Sequence, residues 1–487
     1  MFAAGSIRLA LAPETTEPED GPPADEKRLK QAVVVVHGMG EQWPMSTLRS
    51  FVDGVWARDP KVVEAAGHPN GAKTWISPDQ RTGSHELRRI VTAYVFHPPK
   101  AEKIKIRTDF YELYWADLMQ GSTRSRLFAW IKELIWRDKS TIPSDALPIY
   151  RATMVAATVY LAIGLLVAVS AVLSPFVAVV VAAIAALLSW IVDRLLLPYL
   201  GDVASYARAT PETVAQRAAV RERGLGLLRK LSDDPDYDRM VLVGHSLGSI
   251  LAYDLLQLLW DERRPRDMTV AGHGALMKTI RAVGRFATLA DGSAPAGTDV
   301  SELRAAQWGL YVALRDGDAV QPSWKISDFV TVGSPLTHAE FLMAQDGQEL
   351  RKGITERLFS TSPPQSNKAT EPDVRYNSKP KVWAVHHAAC FAATRWSNIY
   401  DLGNYLWSGD PISGSVRENF GWGVKEFQVE IRKPGGWFSP RLFTHTYYWS
   451  PDAEADPVGG WTGTSGEAHL AALREALDLL RVEGGAP

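Results

Sequence analysis

Met240-Val241-Leu242-Val243-Gly244-His245-Ser246-Leu247-Gly248-Ser249 decides the reading of this chain. Four apolar residues, read as a strand spanning Arg239 to Val243, run into Gly-His-Ser-Leu-Gly. An apolar, helix-patterned stretch from Leu247 to Trp260 follows at once. A serine between a strand and a helix sits on a sharp, strained turn that pushes its hydroxyl into the open. Gly244 and Gly248 remove side chains where strand and helix crowd together. The amino end of the helix offers unpaired N–H groups and a favourable dipole for a developing negative charge. Ser246 is therefore the candidate nucleophile.

Around it, strands and helices alternate, which implies an α/β sheet. Ala32 to Val36 is a β-branched run of the kind buried on both faces of a parallel sheet. It ends in His37-Gly38-Met39-Gly40. Arg89 to Phe96, Asp109 to Trp115, Asp328 to Val332, Arg395 to Leu402 and Val424 to Arg432 read as further strands. Thr47 to Trp56, Pro211 to Leu231 and Ser301 to Leu314 read as helices. Phe359 to Pro380 reads as a loop. Thr464 and Glu467 form a capping box for a last helix, stopped by Gly484.

An oxyanion hole needs two N–H donors. Leu247, just after the serine, supplies one, and Met39, in the loop after the first strand, supplies the other. A serine near its normal pKa also needs a base and an orienting acid, which in this fold follow in the order acid, then histidine. His445, after the strand ending at Arg432, is the candidate base. Asp410, in a Gly/Pro loop, is the candidate acid, with Asp401 as runner-up. His469 reads as a surface residue of the last helix. His386 and His387 precede the acid and fall out of order. Cys390 is the only cysteine. It reads as a small buried hydrophobe rather than a nucleophile, and no disulfide can form within the chain.

The motifs VVVVHGMG (33–40), VLVGHSLGSILAYDLL (241–256), TVGSPL (331–336) and NIYDLGNYLWSGDPIS (398–413) resemble, in order, the core motifs of the intracellular DDHD-type phospholipases A. They are also similar to those of wider lipase-like hydrolases. The resemblance implies an α/β-hydrolase fold, with Ser246 as nucleophile and Asp410 as the acid before a proline. It touches His445 only through the Tyr-Tyr-Trp that follows.

The chain has 487 residues, 46% of them hydrophobic, and a net charge of −2 from 53 basic and 55 acidic side chains. That length holds more than one average domain, and the charge balance gives no field for nucleic acid. Residues 1–29 read as a disordered N-terminal segment. Residues 30–135 and 225–487 read as the two parts of the catalytic domain, and 136–224 as a helical insertion. Within the insertion, two apolar runs joined at Ser174-Pro175 read as a transmembrane hairpin over 152–200, with basic flanks that place both ends in the cytoplasm. The same hairpin offers a surface for homo-oligomer formation.

These readings together predict a membrane-anchored serine hydrolase acting on lipid or other acyl esters at a bilayer. No cofactor is called for, and no ligand cluster with zinc spacing is present. Two alternatives stand beside it: a carboxylesterase or thioesterase on a soluble acyl substrate, and a non-catalytic membrane interaction protein that kept the fold.

Overall fold

The computed structural model describes residues 27–119 and 213–481 apart from 39–43, 68–72, 80, 82–87, 97–103, 290–291, 296, 298, 317–322, 369–370, 403–407, 411, 435–440 and 442–443, together with scattered helical positions between 154 and 206. Its centre is a ten-stranded mixed sheet in the order β12-β11-β10-β7-β6-β1-β5-β3-β2, with β4 also pairing β5. The strands are β1 (Lys27–Val36), β2 (Thr74–Pro78), β3 (Arg88–Thr92), β4 (Val95–Phe96), β5 (Ile104–Leu113), β6 (Arg239–His245), β7 (Ile326–Val332), β10 (Arg395–Tyr400), β11 (Lys425–Arg432) and β12 (Glu454–Val458). A separate hairpin pairs β8 (Arg375–Lys379) with β9 (Val382–Val385). The six strands from β11 to β5 run parallel, and antiparallel strands close both edges. The chain is thus an α/β protein with a mostly parallel central sheet.

Burial on both faces explains why β1 and β6 read as unbroken apolar runs rather than as alternating ones. On one face Val34, Val36, Met240 and Leu242 pack under α2 (Val214–Asp233), α3 (Leu247–Arg263), α4 (Val270–Gly284) and α5 (Val300–Arg315). On the other, Val33, Val35, Val241 and Val243 pack under α1 (Ser46–Val52) and α6 (Ala468–Leu477). Every one of these valines and leucines is at most 1% exposed. Full burial of such a side chain stabilises the fold by about 1.5–3 kcal/mol.

The last helix, α6, is clasped by residues far away in sequence. Gln31 of β1 donates to the Leu479 carbonyl (2.6 Å). Arg239 of β6 donates to the carbonyls of Leu477 (2.9 Å) and Asp478 (2.7 Å). Cations at a helix carboxyl end suit its dipole and its unpaired carbonyls. Arg239 and Arg395 also hold Asp328 of β7, at 2.7 and 2.8 Å. From α6 itself, Arg474 reaches back to the Gly54 carbonyl (2.8 Å).

Several expectations change. Among the described residues no helix is long and apolar enough to cross a membrane. The transmembrane hairpin over 152–200, and the multi-pass membrane placement built on it, therefore do not stand; most of that segment lies outside the described residues. A span needs about 20 consecutive apolar helical residues, and apolarity alone does not tell lipid from protein as the cover. Of the described positions there, Met154 packs against the larger core and Val181 is buried, while Phe176, Val179, Val180 and Ile184 are exposed.

Local signals were also overridden. The capping box does not form: the helix starts at Ala468, and Thr464 contributes its backbone carbonyl to the Glu467 N–H. α6 ends at Leu477, where Asp478 turns left-handed (φ 47°), and Gly484 lies outside the described residues. The strand predicted over Arg89 to Phe96 is two strands, and the loop predicted over Phe359 to Pro380 contains β8. β1 begins at Lys27, inside the segment read as disordered, and α2 runs across the boundary drawn at 224/225.

Candidate active site

The candidate residues gather at the carboxyl ends of the parallel strands, where open α/β sheets place their ligands. Ser246 follows β6 at φ 53°, ψ −133°, a left-handed backbone that a side chain rarely adopts, and α3 starts at the next residue. The Ser246 N–H donates to the Val332 carbonyl at the end of β7 (3.1 Å). Both elbow glycines are required by space. A Cβ on Gly244 would lie 2.5 Å from the Ser249 Cα, and one on Gly248 would lie 2.3 Å from the carbonyl oxygens of both Val36 and His37. Ser249 ties the turn down, its hydroxyl donating to the Ser246 carbonyl (2.6 Å) and meeting the Ser334 hydroxyl (2.6 Å).

The acid and base come from two loops joined by backbone hydrogen bonds. Gly409 N–H donates to the Arg441 carbonyl, and Thr444 N–H donates to the Gly409 carbonyl. His445 Nδ1 then donates to Asp410 Oδ2 at 2.8 Å, with both side chains almost fully buried. Burial pushes the Asp410 carboxyl up, but the His445 ring and hydrogen bonds from His445, Tyr448 and the Ile412 N–H outweigh it. They hold Asp410 below the usual carboxylate range. The pair is thus an ionised carboxylate fixing the imidazole tautomer, the arrangement a general base needs.

Asp401, the runner-up acid, has other partners. It accepts from the Thr444 hydroxyl (2.6 Å), Arg441 (2.9 Å) and the Ile431 N–H (3.3 Å). Burial raises its carboxyl to about 6. Its place is under the base loop, as a support.

Four contributors were not legible in the sequence. Tyr448 donates to the same Asp410 oxygen (2.7 Å) and accepts from the Asp401 N–H (3.0 Å). His245 stacks on His445 with ring centres 4.9 Å apart, and its Nε2 donates to the His445 carbonyl (3.1 Å). Burial pushes the His245 imidazole down to about 3, so it stays neutral beside His445. Trp449 meets the edge of the same ring system. Gly333, left-handed at φ 57°, leaves the space where a Cβ would lie 3.2 Å from both Asp410 Oδ2 and His445 Cε1. Its position in TVGSPL, directly after a strand, was the available signal.

The Ser246 hydroxyl is buried and has no hydrogen-bond partner among the described residues. Hydroxyl–base hydrogen bonds of this kind commonly tighten only when substrate binds. Gly38 lies against the serine: a Cβ there would be 2.7 Å from the Ser246 Cβ and 3.3 Å from its Oγ. Leu247, the first residue of α3, is fully buried. Met39, the second proposed oxyanion donor, lies outside the described residues.

The loop after β1 is anchored at both ends. On the near side, His37 Nδ1 donates to the Gly38 carbonyl, its Nε2 accepts the Trp115 N–H, and its ring stacks on Trp115. On the far side, Glu112 of β5 accepts the N–H of Met45, which is left-handed at φ 69°. Burial pushes the Glu112 carboxyl up to about 7. The folded protein therefore holds this proton more tightly than the unfolded chain. Stability from this group is full below the ordinary glutamate range and is lost as pH rises toward 7. Glu112→Gln keeps an acceptor for Met45 and removes the charge. Relative to the unchanged protein it should be more stable at pH 8 than at pH 5, by at most about 3 kcal/mol. Urea denaturation at the two pH values measures this, and a pH-independent difference would refute it.

The remaining candidates lie elsewhere. His386 is buried, bonds the Gln365 carbonyl and is pushed down to about 3 by burial. Cys390 is fully buried, with its thiol pushed up to about 12, which suits a packing role and not a nucleophile. His469 is not a surface residue: it is buried against the Ser450 carbonyl (2.9 Å).

No protein-family model matches the chain, and no curated protein matches it either.

Proposed function

We propose that this chain is a serine hydrolase with an α/β-hydrolase fold that cleaves carboxylic esters through an acyl-enzyme on Ser246. The observation that carries the reading is the buried Asp410–His445 pair at the same end of the sheet as a left-handed serine between β6 and α3. The chain order serine, acid, histidine is that of the fold.

His445 takes the Ser246 proton as the oxygen attacks the ester carbonyl. The tetrahedral oxyanion is held by the N–H groups of Leu247 and Met39. His445 returns the proton to the leaving alcohol, and the acyl group stays on Ser246. Water, deprotonated by the same histidine, then attacks the acyl-enzyme and frees the acid. Asp410 stabilises the imidazolium in each half, and the stacked, neutral His245 adds no charge against it. The resemblance to phospholipases A and wider lipases favours an acyl ester with a lipid-like chain as substrate.

A fluorophosphonate probe tests this, because only an activated serine reacts with it. The full chain should label covalently and Ser246→Ala should not. No labelling of the unchanged protein, or equal labelling of the variant, would defeat the assignment.

A further inference from the structure

A cavity of about 450 Å³ opens on the flank of α3, with Ile250 and Asp254 on one wall and Arg217 and Arg221 of α2 on another. Its size falls within the roughly 300–1,000 Å³ of small-molecule sites. Ile250 lies one turn beyond Ser246, about 6 Å along the helix, and Ser246 is not among the lining residues.

The cavity wall carries two arginines, Arg217 and Arg221, and two acids, Asp254 and Glu349, but they are not evenly paired. Asp254 is engaged: Arg221 holds its Oδ2 at 2.5 Å, and the Tyr206 hydroxyl donates to the same oxygen at 3.1 Å. Arg217 is only 8% exposed. Its guanidinium lies over the Tyr206 ring at 4.8 Å, its Nη1 is buried with no hydrogen-bond partner among the described residues, and the Asp254 charge that attracts it is already bonded to Arg221. The other acid on the wall, Glu349, is exposed and accepts the Gln345 N–H. Ile250, Met343 and Phe359 give the rest of the wall an apolar character. A buried cation without a matched anion is costly unless something pairs it, and a guanidinium suits carboxylates and phosphates.

We propose that this cavity binds an amphiphilic anion, a carboxylate or phosphate carried on an alkyl chain. Arg217 pairs with the head and the apolar wall covers the chain. The proposal does not depend on Ser246 being reactive.

Binding of octanoate, octanol, octyl phosphate and inorganic phosphate to the full chain, followed by calorimetry and thermal shift, tests it. Octanoate or octyl phosphate should bind and raise Tm, and the tighter of the two identifies the head. Octanol and inorganic phosphate should each bind at least tenfold more weakly. Arg217→Met should weaken binding of the anion at least tenfold. Leu358→Glu, at a wall residue that is 67% exposed, should weaken it too without touching the core. It serves if Arg217→Met fails to fold. Ser246→Ala should bind as the unchanged protein does, which separates this site from the catalytic reading. Octanol binding as well as the anions, no binding of either anion, or affinity unchanged in both wall variants would overturn the proposal.

Discussion

His445→Ala should leave an enzyme about 10⁶-fold slower in kcat on p-nitrophenyl butyrate, with KM little changed, since members of a catalytic triad act as a unit. The reason is geometric. In the proposed mechanism His445 is the base that the Asp410 carboxylate orients, and the described residues offer no substitute: the nearest imidazole, His245, is buried neutral with its Nε2 committed to the His445 carbonyl. Asp410→Asn should cost on the order of 10⁴, because an amide in place of the carboxylate favours the wrong tautomer. Asp401→Asn separates the two acids. Asp401 holds Thr444 and Arg441 beneath the base loop, so its loss should lower Tm while kcat falls far less than in Asp410→Asn. Steady-state kinetics and thermal unfolding on the three variants decide the matter. A dead Asp401→Asn enzyme beside an active Asp410→Asn one would reverse the assignment.

The second large effect is on stability. Gly248→Ala places a methyl group 2.3 Å from two carbonyl oxygens at the end of β1. Both are backbone atoms in the middle of the sheet, so they cannot swing aside as a side chain could. Overpacking of this kind costs about 3 kcal/mol or more, and relief would prise α3 from β1 and displace the elbow with it. Gly226→Ala is the control. It lies in α2 with nothing among the described residues within 4 Å of the added carbon, and should stabilise by up to about 1 kcal/mol through helix propensity. Urea unfolding of both variants checks the contrast. Wild-type stability in Gly248→Ala would show that the elbow is not packed as described.

What was legible in the sequence was local. The β6–Ser246–α3 sequence declares itself because an apolar run, a glycine-flanked serine and a helical pattern are contiguous. β1 declares itself by its unbroken valines. Asp410 and His445 were reachable through chain order and loop chemistry, although 35 residues separate them. The partners that tune the pair were not. Tyr448 reaches back to Asp410 and Asp401, and His245 reaches across 200 residues to the His445 carbonyl. No spacing rule encodes such contacts, because they depend on which loops the sheet brings together. The Thr464–Glu467 box failed because tertiary contacts set the start of α6, and His469 was misplaced because its polar character hid a buried role. The hairpin reading does not stand because no described helix is long and apolar enough to cross a membrane, and hydropathy measures a need for apolar cover without fixing helix length.

The clasp between β1, β6 and α6 also bears on how the chain reaches this state. Gln31 and Leu479 meet across 448 residues, and Gly54 and Arg474 across 420. Such contacts raise contact order and close loops late, which slows folding. At a synthesis rate of about 5–20 residues per second, roughly 20 to 90 seconds pass between the emergence of β1 and that of α6. Through that interval the valines of β1 that α6 will cover belong to a nascent chain whose last layer does not yet exist. The feature that seals one face of the finished sheet is therefore also what makes the growing polypeptide a candidate for chaperone custody.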